Sequence, residues 1–286
     1  MPLAISNTPR RSSRFSHKPG VAGQRREAAA DHYGLKGKRI LITGASKGLG
    51  RVCAEAFARE GAWLMLAARS RDRLEQARAS LSEPERHRVH AGDLTTLREV
   101  RQLVKLAEAF GPIDVILHVM GGGLGMRDPL LAWNEFDALF RTNLAAAAEI
   151  NRGLIPGMRE RGTGNIVHVG SISGTEATGS VGYNVVKAAL SAYTRSLGRE
   201  LAATGVIVTA ILPGGFWAPD NAWVRFQQRD PQRLQEVIAA RQPRRKLGDA
   251  AEIIPMLLLL SSRKASMMSG CCVPIDGGEG VAYLSS

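Results

Sequence analysis

Apolar positions along the chain alternate between two patterns. Short runs rich in β-branched and aliphatic residues occur at 39–42, 63–67, 88–90, 115–118, 165–169, 206–211 and 272–275. Between them lie stretches of helical period, at 49–60, 71–81, 97–110 and 181–203. Apolar strands separated by helices need crossover connections, which make the strands parallel and bury them on both faces. Right-handed crossovers then predict an α/β fold, a Rossmann-type doubly wound parallel sheet of about seven strands with helices on both faces. No internal repeat and no second composition regime appears, so residues 35–286 read as one domain.

Residues 1–34 show no apolar period and are rich in Ser, Arg, Pro and Ala. Such a segment buries too little surface to offset the entropy of ordering and reads as a disordered basic extension. Residues 1–38 carry eight Lys and Arg against two acids, half of the formal net charge of +12. The charge therefore speaks more of a tail than of a basic fold. An Arg- and Ser-rich, acid-poor start is similar to an organelle transit peptide, although Pro9, Pro19 and the missing apolar face count against one. With only Phe15 and Tyr33 there, no series of aromatic residues is interleaved for base stacking, which argues against nucleic-acid binding.

Composition narrows the class further. Aromatic content of 5% and 31 glycines favour an α/β enzyme with many tight turns over an all-β sandwich. No apolar run, Met256 to Leu260 included, approaches the roughly eighteen residues of a helical membrane span, which excludes one. Cys53, Cys271 and Cys272 form neither a disulfide framework nor a zinc-ligand pattern. A reducing, cytoplasmic setting and no metal are expected.

Chemistry first appears at the first strand-to-helix junction, Thr43-Gly44-Ala45-Ser46-Lys47-Gly48-Leu49-Gly50. Glycines there admit backbone conformations closed to other residues and let a pyrophosphate approach the free amides of a helix start. In a βαβ context this turn reads as a dinucleotide site. NAD-preferring sites carry an acid at the end of the second strand, whereas this strand ends Ala68-Arg69-Ser70. A guanidinium pairs with a ribose 2′-phosphate that a carboxylate would repel, so Arg69, helped by Lys47 and Ser70, points to NADP(H) over NAD(H). Asp93, after the third strand, suits either the adenine edge or the cap of the next helix.

Tyr183 and Lys187 are four apart at the start of a predicted helix, on one face. A nearby ammonium favours the phenolate and lowers a phenol pKa that is otherwise about 10. Ser171 is expected to end the fifth strand at its carboxyl edge, where ligands sit in open α/β sheets. These residues, with Thr43 to Gly50, Asp93-Leu94, Asn143, Pro213-Gly214 and Asp276-Gly277-Gly278, make residues 36–282 resemble the short-chain dehydrogenase/reductase family, with members like 3-oxoacyl carrier-protein reductases the nearest in look. The resemblance implies that Tyr183 is the general acid or base and that Ser171 orients the substrate oxygen. It also implies that Lys187 binds the nicotinamide ribose, and that Asn143 holds a water linking Lys187 to solvent. It places Gly44, Ser46, Gly48, Leu49, Gly50, Leu94, Gly121, Pro213, Gly214 and Phe216 beside the cofactor. It also implies pairing of helices into a homotetramer.

The family pattern is broken in two places. His118-Val119-Met120-Gly121 stands where two asparagines, an alanine and a glycine are usual, and Ala218 where a cofactor-contacting threonine is common. A buried, satisfied His118 is the expected reading, with one cofactor hydrogen bond lost at Ala218. Expected substrate loops are 122–128, 173–181 and 216–248. The last holds Phe216, Trp217, Trp223 and Phe226 among Arg225, Arg229, Arg233, Arg241, Arg244, Arg245 and Lys246. That mixture suits a 3-oxoacyl thioester on an anionic carrier or another anionic substrate, or else it is a helical lid with an ordinary basic face. Reduction of a sugar or polyol ketone is the alternative activity. A non-catalytic NADP(H)-binding module would be expected to have lost the Tyr183–Lys187 pair, and a nucleotide-sugar epimerase to carry a different glycine spacing and a longer C-terminal domain.

Overall fold

A computed structural model describes residues 31–282. In chain order the elements begin with β1 (Arg39–Thr43), α1 (Gly48–Arg59), β2 (Trp63–Ala68), α2 (Arg71–Ala79), β3 (Arg88–Ala91), α3 (Leu97–Phe110) and β4 (Val115–His118). Then α4 (Trp133–Phe140) runs through a π-helical turn, Arg141–Ala145, into α5 (Ala146–Glu160). They are followed by β5 (Gly164–Val169), α6 (Val181–Leu201), β6 (Val206–Pro213), β7 (Phe216–Trp217), α7 (Ala222–Arg229) and α8 (Pro231–Arg241). The last three are β8 (Gly248–Asp249), α9 (Ala250–Leu260) and β9 (Cys272–Ile275).

Seven strands form one parallel sheet in the order β3-β2-β1-β4-β5-β6-β9, and β7 pairs with β8 apart from it. The strand order reverses between β1 and β4, which are neighbours in register Ile40↔Val115 to Thr43↔His118. That reversal opens a crevice beyond the carboxyl ends of the two strands. All seven expected strands are present, two of them with the expected bounds and the rest one or two residues longer. The expected helix over 71–81 stops at Ala79, where the Ser80 hydroxyl donates to Ala77 O at 2.8 Å and turns the chain.

Side chains alternate across the sheet, as a pleat requires. Ile40, Ile42, Leu64, Leu66 and Leu117 pack on one face with Cys53 and Phe57 of α1 and Ile254 and Leu257 of α9. Leu41, Met65, Ile116, Ile166 and Val208 pack on the other with Leu103 of α3 and Ile150 and Leu154 of α5. Asp31 accepts the amide of Leu35 at 2.9 Å, and Tyr33 packs on the first of these cores. Residues 31–34 of the expected disordered extension 1–34 thus take part in these contacts, and its residues 1–30 lie outside the described residues.

One polar cluster sits within this core. His118 and His168 are register partners in β4 and β5, stacked with ring centroids 5.1 Å apart. Asn151 on α5 accepts from His118 Nε2 at 2.9 Å and donates to His168 Nε2 at 3.3 Å and to the Tyr193 hydroxyl at 3.2 Å. His168 Nδ1 meets Thr194 of α6 at 2.9 Å. The amide thereby sets the tautomers, with the proton on Nε2 of His118 and on Nδ1 of His168. His118 is a buried, satisfied residue, as expected.

Burial disfavours the charged imidazole and pulls His118 down to about 4, and His168 well below its ordinary value. The unfolded chain binds these protons near pH 6.5, whereas the folded chain refuses them. Stability is therefore complete above that pH and is lost as pH falls towards 4, at about 1 kcal/mol per pH unit for each ring. Urea unfolding at pH 7 and pH 5 should show this loss, and His118→Asn should reduce the slope between the two pH values.

Candidate active site

The crevice floor is made by the turn between β1 and α1. Gly44 has φ +71°, and a Cβ there would lie 2.9 Å from the amide nitrogen of Met120 beyond β4. A Cβ at Gly50 would lie 2.8 Å from the carbonyl carbon of Gly44, so α1 can start this close to β1 only with glycine. The amides of Leu49 and Gly50 belong to the first turn of α1 and have no intrahelical acceptor, the position at which a helix start offers donors to an anion. The amide of Gly48 donates to Pro219 O at 2.8 Å. Lys47, Arg69, Arg73 and Arg225 gather at the outer end of this turn: burial lowers the pKa of Lys47, and the charges of Arg225, Arg73 and Arg69 lower it further against the opposing Asp220. Ser70 accepts the amide of Arg73 at 3.4 Å and caps α2.

Asp93 accepts from the amide and hydroxyl of Thr95, at 3.1 and 2.8 Å, and shapes the turn before α3. The cap of α3 is Thr96, so Asp93 does not fill that role, and the adjoining Leu94 is buried.

At the other end of the crevice, β5 ends at Val169, and Ser171 lies two residues beyond the strand it is expected to end. Its backbone is extended, and its hydroxyl accepts the amide of Ser173 at 3.1 Å, opening a single 3-10 turn. Tyr183 is the third residue of α6 and Lys187 follows one turn later. Lys187 Nζ donates to Val169 O at 2.9 Å and lies 5.6 Å from the centroid of the Tyr183 ring. A Cβ on Gly121 would lie 2.8 Å from Asn143 Oδ1 and 3.1 Å from Lys187 Nζ, which places all three side by side. Asn143 sits in the π-helical turn. The wider turn leaves Leu139 O for its side-chain amide at 2.9 Å, while it also exchanges hydrogen bonds with the backbone of Gly122.

The electrostatics differ from the expectation of an acidified phenol. Burial raises the Tyr183 pKa above its ordinary value, and a hydrogen bond with Ser171 draws it partly back. Burial lowers Lys187 to about 8. The ammonium donates to Val169 rather than to the phenol, so desolvation outweighs its attraction for the phenolate. The phenol is thus held protonated at neutral pH. Two hydroxyls, one ammonium and an open approach over Gly121 suit an oxygen that gains negative charge.

The expected substrate loops surround this point. Pro213 closes β6, Gly214 follows, and Phe216 enters the small β7–β8 ribbon. Four of the lid arginines are engaged within the chain: Arg233 with Glu236 at 2.6 Å, Arg244 with Glu252 at 2.6 Å, Arg241 with Glu279 at 2.9 Å, and Arg245 with Ala239 O at 2.7 Å. Ala218 is buried and brings no hydroxyl to the crevice. Among the described residues, no group of three or more His, Cys, Asp or Glu side chains is gathered as for a metal.

Glu279 is a residue that sequence reasoning missed. Its buried carboxylate accepts from the Gly215 amide at 2.6 Å, Gln242 Nε2 at 2.5 Å and Arg241 at 2.9 Å. Arg241 also reaches Thr178 O at 3.3 Å, and Glu176 accepts the amides of Val281 and Ala282 at 2.8 and 2.9 Å. The C-terminal segment thereby ties two substrate loops together. The only sequence signal was an acid directly after Asp276-Gly277-Gly278.

A family model described as enoyl-(acyl carrier protein) reductase matches residues 44–279. Levodione reductase of Leifsonia aquatica is 31% identical over 256 residues, covering 85% of this chain and 94% of that protein. Among solved structures, L-sorbose reductase of Gluconobacter frateurii, in complex with NADPH and L-sorbose, superposes with a TM-score of 0.81 at 32% identity, covering 88% of this chain and 99% of the other. A 3-oxoacyl (acyl-carrier-protein) reductase of Agrobacterium tumefaciens, with NADP bound, has a TM-score of 0.80 at 23% identity over 88% of this chain and 98% of the other, a likeness of fold.

Glu279→Ala would leave the Arg241 guanidinium and the Gly215 amide without their acceptor. A cost of about 3 kcal/mol in urea unfolding is expected, together with faster hydrogen exchange over 213–245. Glu279→Gln, which keeps an acceptor oxygen, should lose less in both measurements.

Proposed function

The chain belongs to the short-chain dehydrogenase/reductase family of oxidoreductases, and from that membership we propose that it interconverts a ketone and a secondary alcohol with NADP(H) in preference to NAD(H). The observation that carries this reading is the convergence of Ser171, Tyr183 and Lys187 at the carboxyl end of β5, beside Gly121 and Asn143. The cradle fits a dinucleotide, because Gly44 and Gly50 let the start of α1 and the segment after β4 approach the end of β1 more closely than any Cβ would allow, which keeps the first turn of α1 at the crevice floor. When bound, the nicotinamide supplies a hydride to the carbonyl carbon. Ser171 and Tyr183 hold the carbonyl oxygen by hydrogen bonds, and Tyr183 gives it a proton as negative charge develops. A raised phenol pKa keeps that proton in place at neutral pH, which suits the reductive direction. Lys187 stabilises the phenolate left behind and binds the ribose hydroxyls. Asn143, held by Leu139 O and Gly122, positions the water through which Lys187 is reprotonated.

NADP(H) preference is supported by Arg69 and Lys47 at the adenosine end, with Ser70 fixing the start of α2, and by the NADPH held in the sorbose reductase structure. Gly44, Ser46, Gly48, Leu49, Gly50, Asp93, Leu94, Pro213, Gly214 and Phe216 line the remainder of the cofactor path.

For the substrate, a small cyclic or polyhydroxylated ketone is better supported than a 3-oxoacyl group on an acidic carrier. Arginines that would greet such a carrier are largely spent on Glu236, Glu252 and Glu279 within the chain. Two similar proteins above 30% identity are reductases of levodione and L-sorbose. A homotetramer is supported by apolar side chains left exposed on α4 and α6, with Trp133 92% exposed and Phe140, Val181 and Val185 about half exposed. No helix among the described residues is long and apolar enough to cross a membrane, and a cytoplasmic location accords with the unpaired cysteines.

NADPH consumption measured across sugar ketones, cyclic diketones and acyl thioesters tests the reading, and absence of turnover with every ketone would overturn it. Tyr183→Phe should lower kcat at least about a hundredfold, as loss of a general acid does, while NADPH binding followed by fluorescence stays intact. Arg69→Asp should shift the NADPH/NADH ratio of kcat/KM by at least about tenfold towards NADH, equivalent to losing one charge-assisted pair.

A further inference from the structure

The basic cluster at the adenosine end contains one carboxylate. Asp220 Oδ2 lies 3.5 Å from Arg73 Nη1 of α2, and Asp220 O accepts from Arg225 Nη1 of α7. The preceding carbonyl, Pro219 O, takes the amide of Gly48 at 2.8 Å. Pro219 therefore caps the first amide of α1, next to the remaining amides that a dinucleotide would use. Asp220 adopts φ +56°, a left-handed conformation that Asp and Asn accept more readily than most residues. Asn221 follows directly and caps α7 through the amides of Trp223 and Val224, at 3.1 and 3.0 Å. A shift of Asp220 is thus transmitted to the root of the lid.

We propose that Asp220 is an internal stand-in for the cofactor's 2′-phosphate. Its carboxylate faces Arg73 while its main-chain oxygen holds Arg225, beside Lys47 and Arg69 in the same basic cluster, and the phosphate takes the place of that carboxylate on binding. This rests on the NADP(H) reading above. A 2′-phosphate carries up to two negative charges and three acceptor oxygens, against one charge and two oxygens on Asp220, so it competes successfully for the same cations. Arg73 and Arg225 then discriminate between the two dinucleotides, and exchange of Asp220 for phosphate frees the segment that starts α7. A cofactor without the phosphate leaves the Asp220–Arg73 pair in place. The depressed pKa of Lys47, drawn down by Arg225 and Arg73 after burial, accords with cations that one carboxylate does not fully balance.

The test is isothermal titration with adenosine 2′,5′-bisphosphate and with 5′-AMP, which needs no substrate and no turnover. Wild type should bind the bisphosphate more tightly than AMP. Asp220→Asn keeps a residue that accepts the left-handed backbone and removes only the competing charge. It should bind the bisphosphate about two- to fivefold more tightly, the scale of an exposed ion pair, with AMP affinity unchanged. Arg73→Ala and Arg225→Ala should each weaken the bisphosphate and spare AMP. Unchanged or weaker bisphosphate binding by Asp220→Asn, with wild type still discriminating, would overturn the stand-in alone. Unchanged bisphosphate binding by both arginine variants would remove them from the seat and overturn the proposal as well. A wild type that fails to distinguish the two nucleotides would overturn the NADP(H) reading and this inference together.

Discussion

The hydrogen bond from Lys187 Nζ to Val169 O joins helix α6 to the end of strand β5, and the site's geometry depends on that joint. A buried ammonium without acceptors would be untenable, so the helix can pack on the sheet only where this bond is made. The same constraint sets Tyr183 one turn earlier, near Ser171, and leaves Gly121 and Asn143 at the lysine's flank. Packing and chemistry therefore share one contact. Burial that keeps the lysine pKa at about 8 also keeps the phenol protonated, an arrangement poised to donate a proton rather than to remove one.

Beneath the site, the sheet substitutes one polar solution for another. Where the family pattern has asparagine, His118 stacks on His168 and reaches Asn151, so strands β4 and β5 are tied to α5 and α6 through two neutral rings. The bond from Asn151 to His168 Nε2 needs an uncharged imidazole to accept it, and burial supplies that condition. The substitution holds the central strands without adding charge below Lys187. Above the site, Glu279 does comparable work for the loops, because three donors from two segments converge on one carboxylate.

The lid shows how composition misleads about surface charge. Seven cations between 225 and 246 read as an electropositive landing area, yet several are neutralised by acids or carbonyls in the same or adjoining segments. Arg225 follows the same pattern on the carbonyl of Asp220, whose carboxylate turns instead to Arg73 of α2. Charge that looks like substrate recognition in the sequence is in good part spent in the fold on holding the lid together.

Period and spacing were sufficient for much of this. Alternating apolar runs identified all seven strands of the sheet, and the glycine turn and the Tyr183–Lys187 interval located both ends of the crevice, because each is a local pattern imposed by backbone geometry. Helices α4, α5, α7, α8 and α9 were not separately legible, since their limits depend on a π turn, on caps and on prolines rather than on period alone. The direction of the Tyr183 pKa, the roles of Glu279 and Asp220 and the pairing of the lid arginines belong to tertiary structure. Desolvation, and contacts between residues as distant as Gly215 and Glu279 or Arg73 and Asp220, arise only when the folded chain brings its segments together.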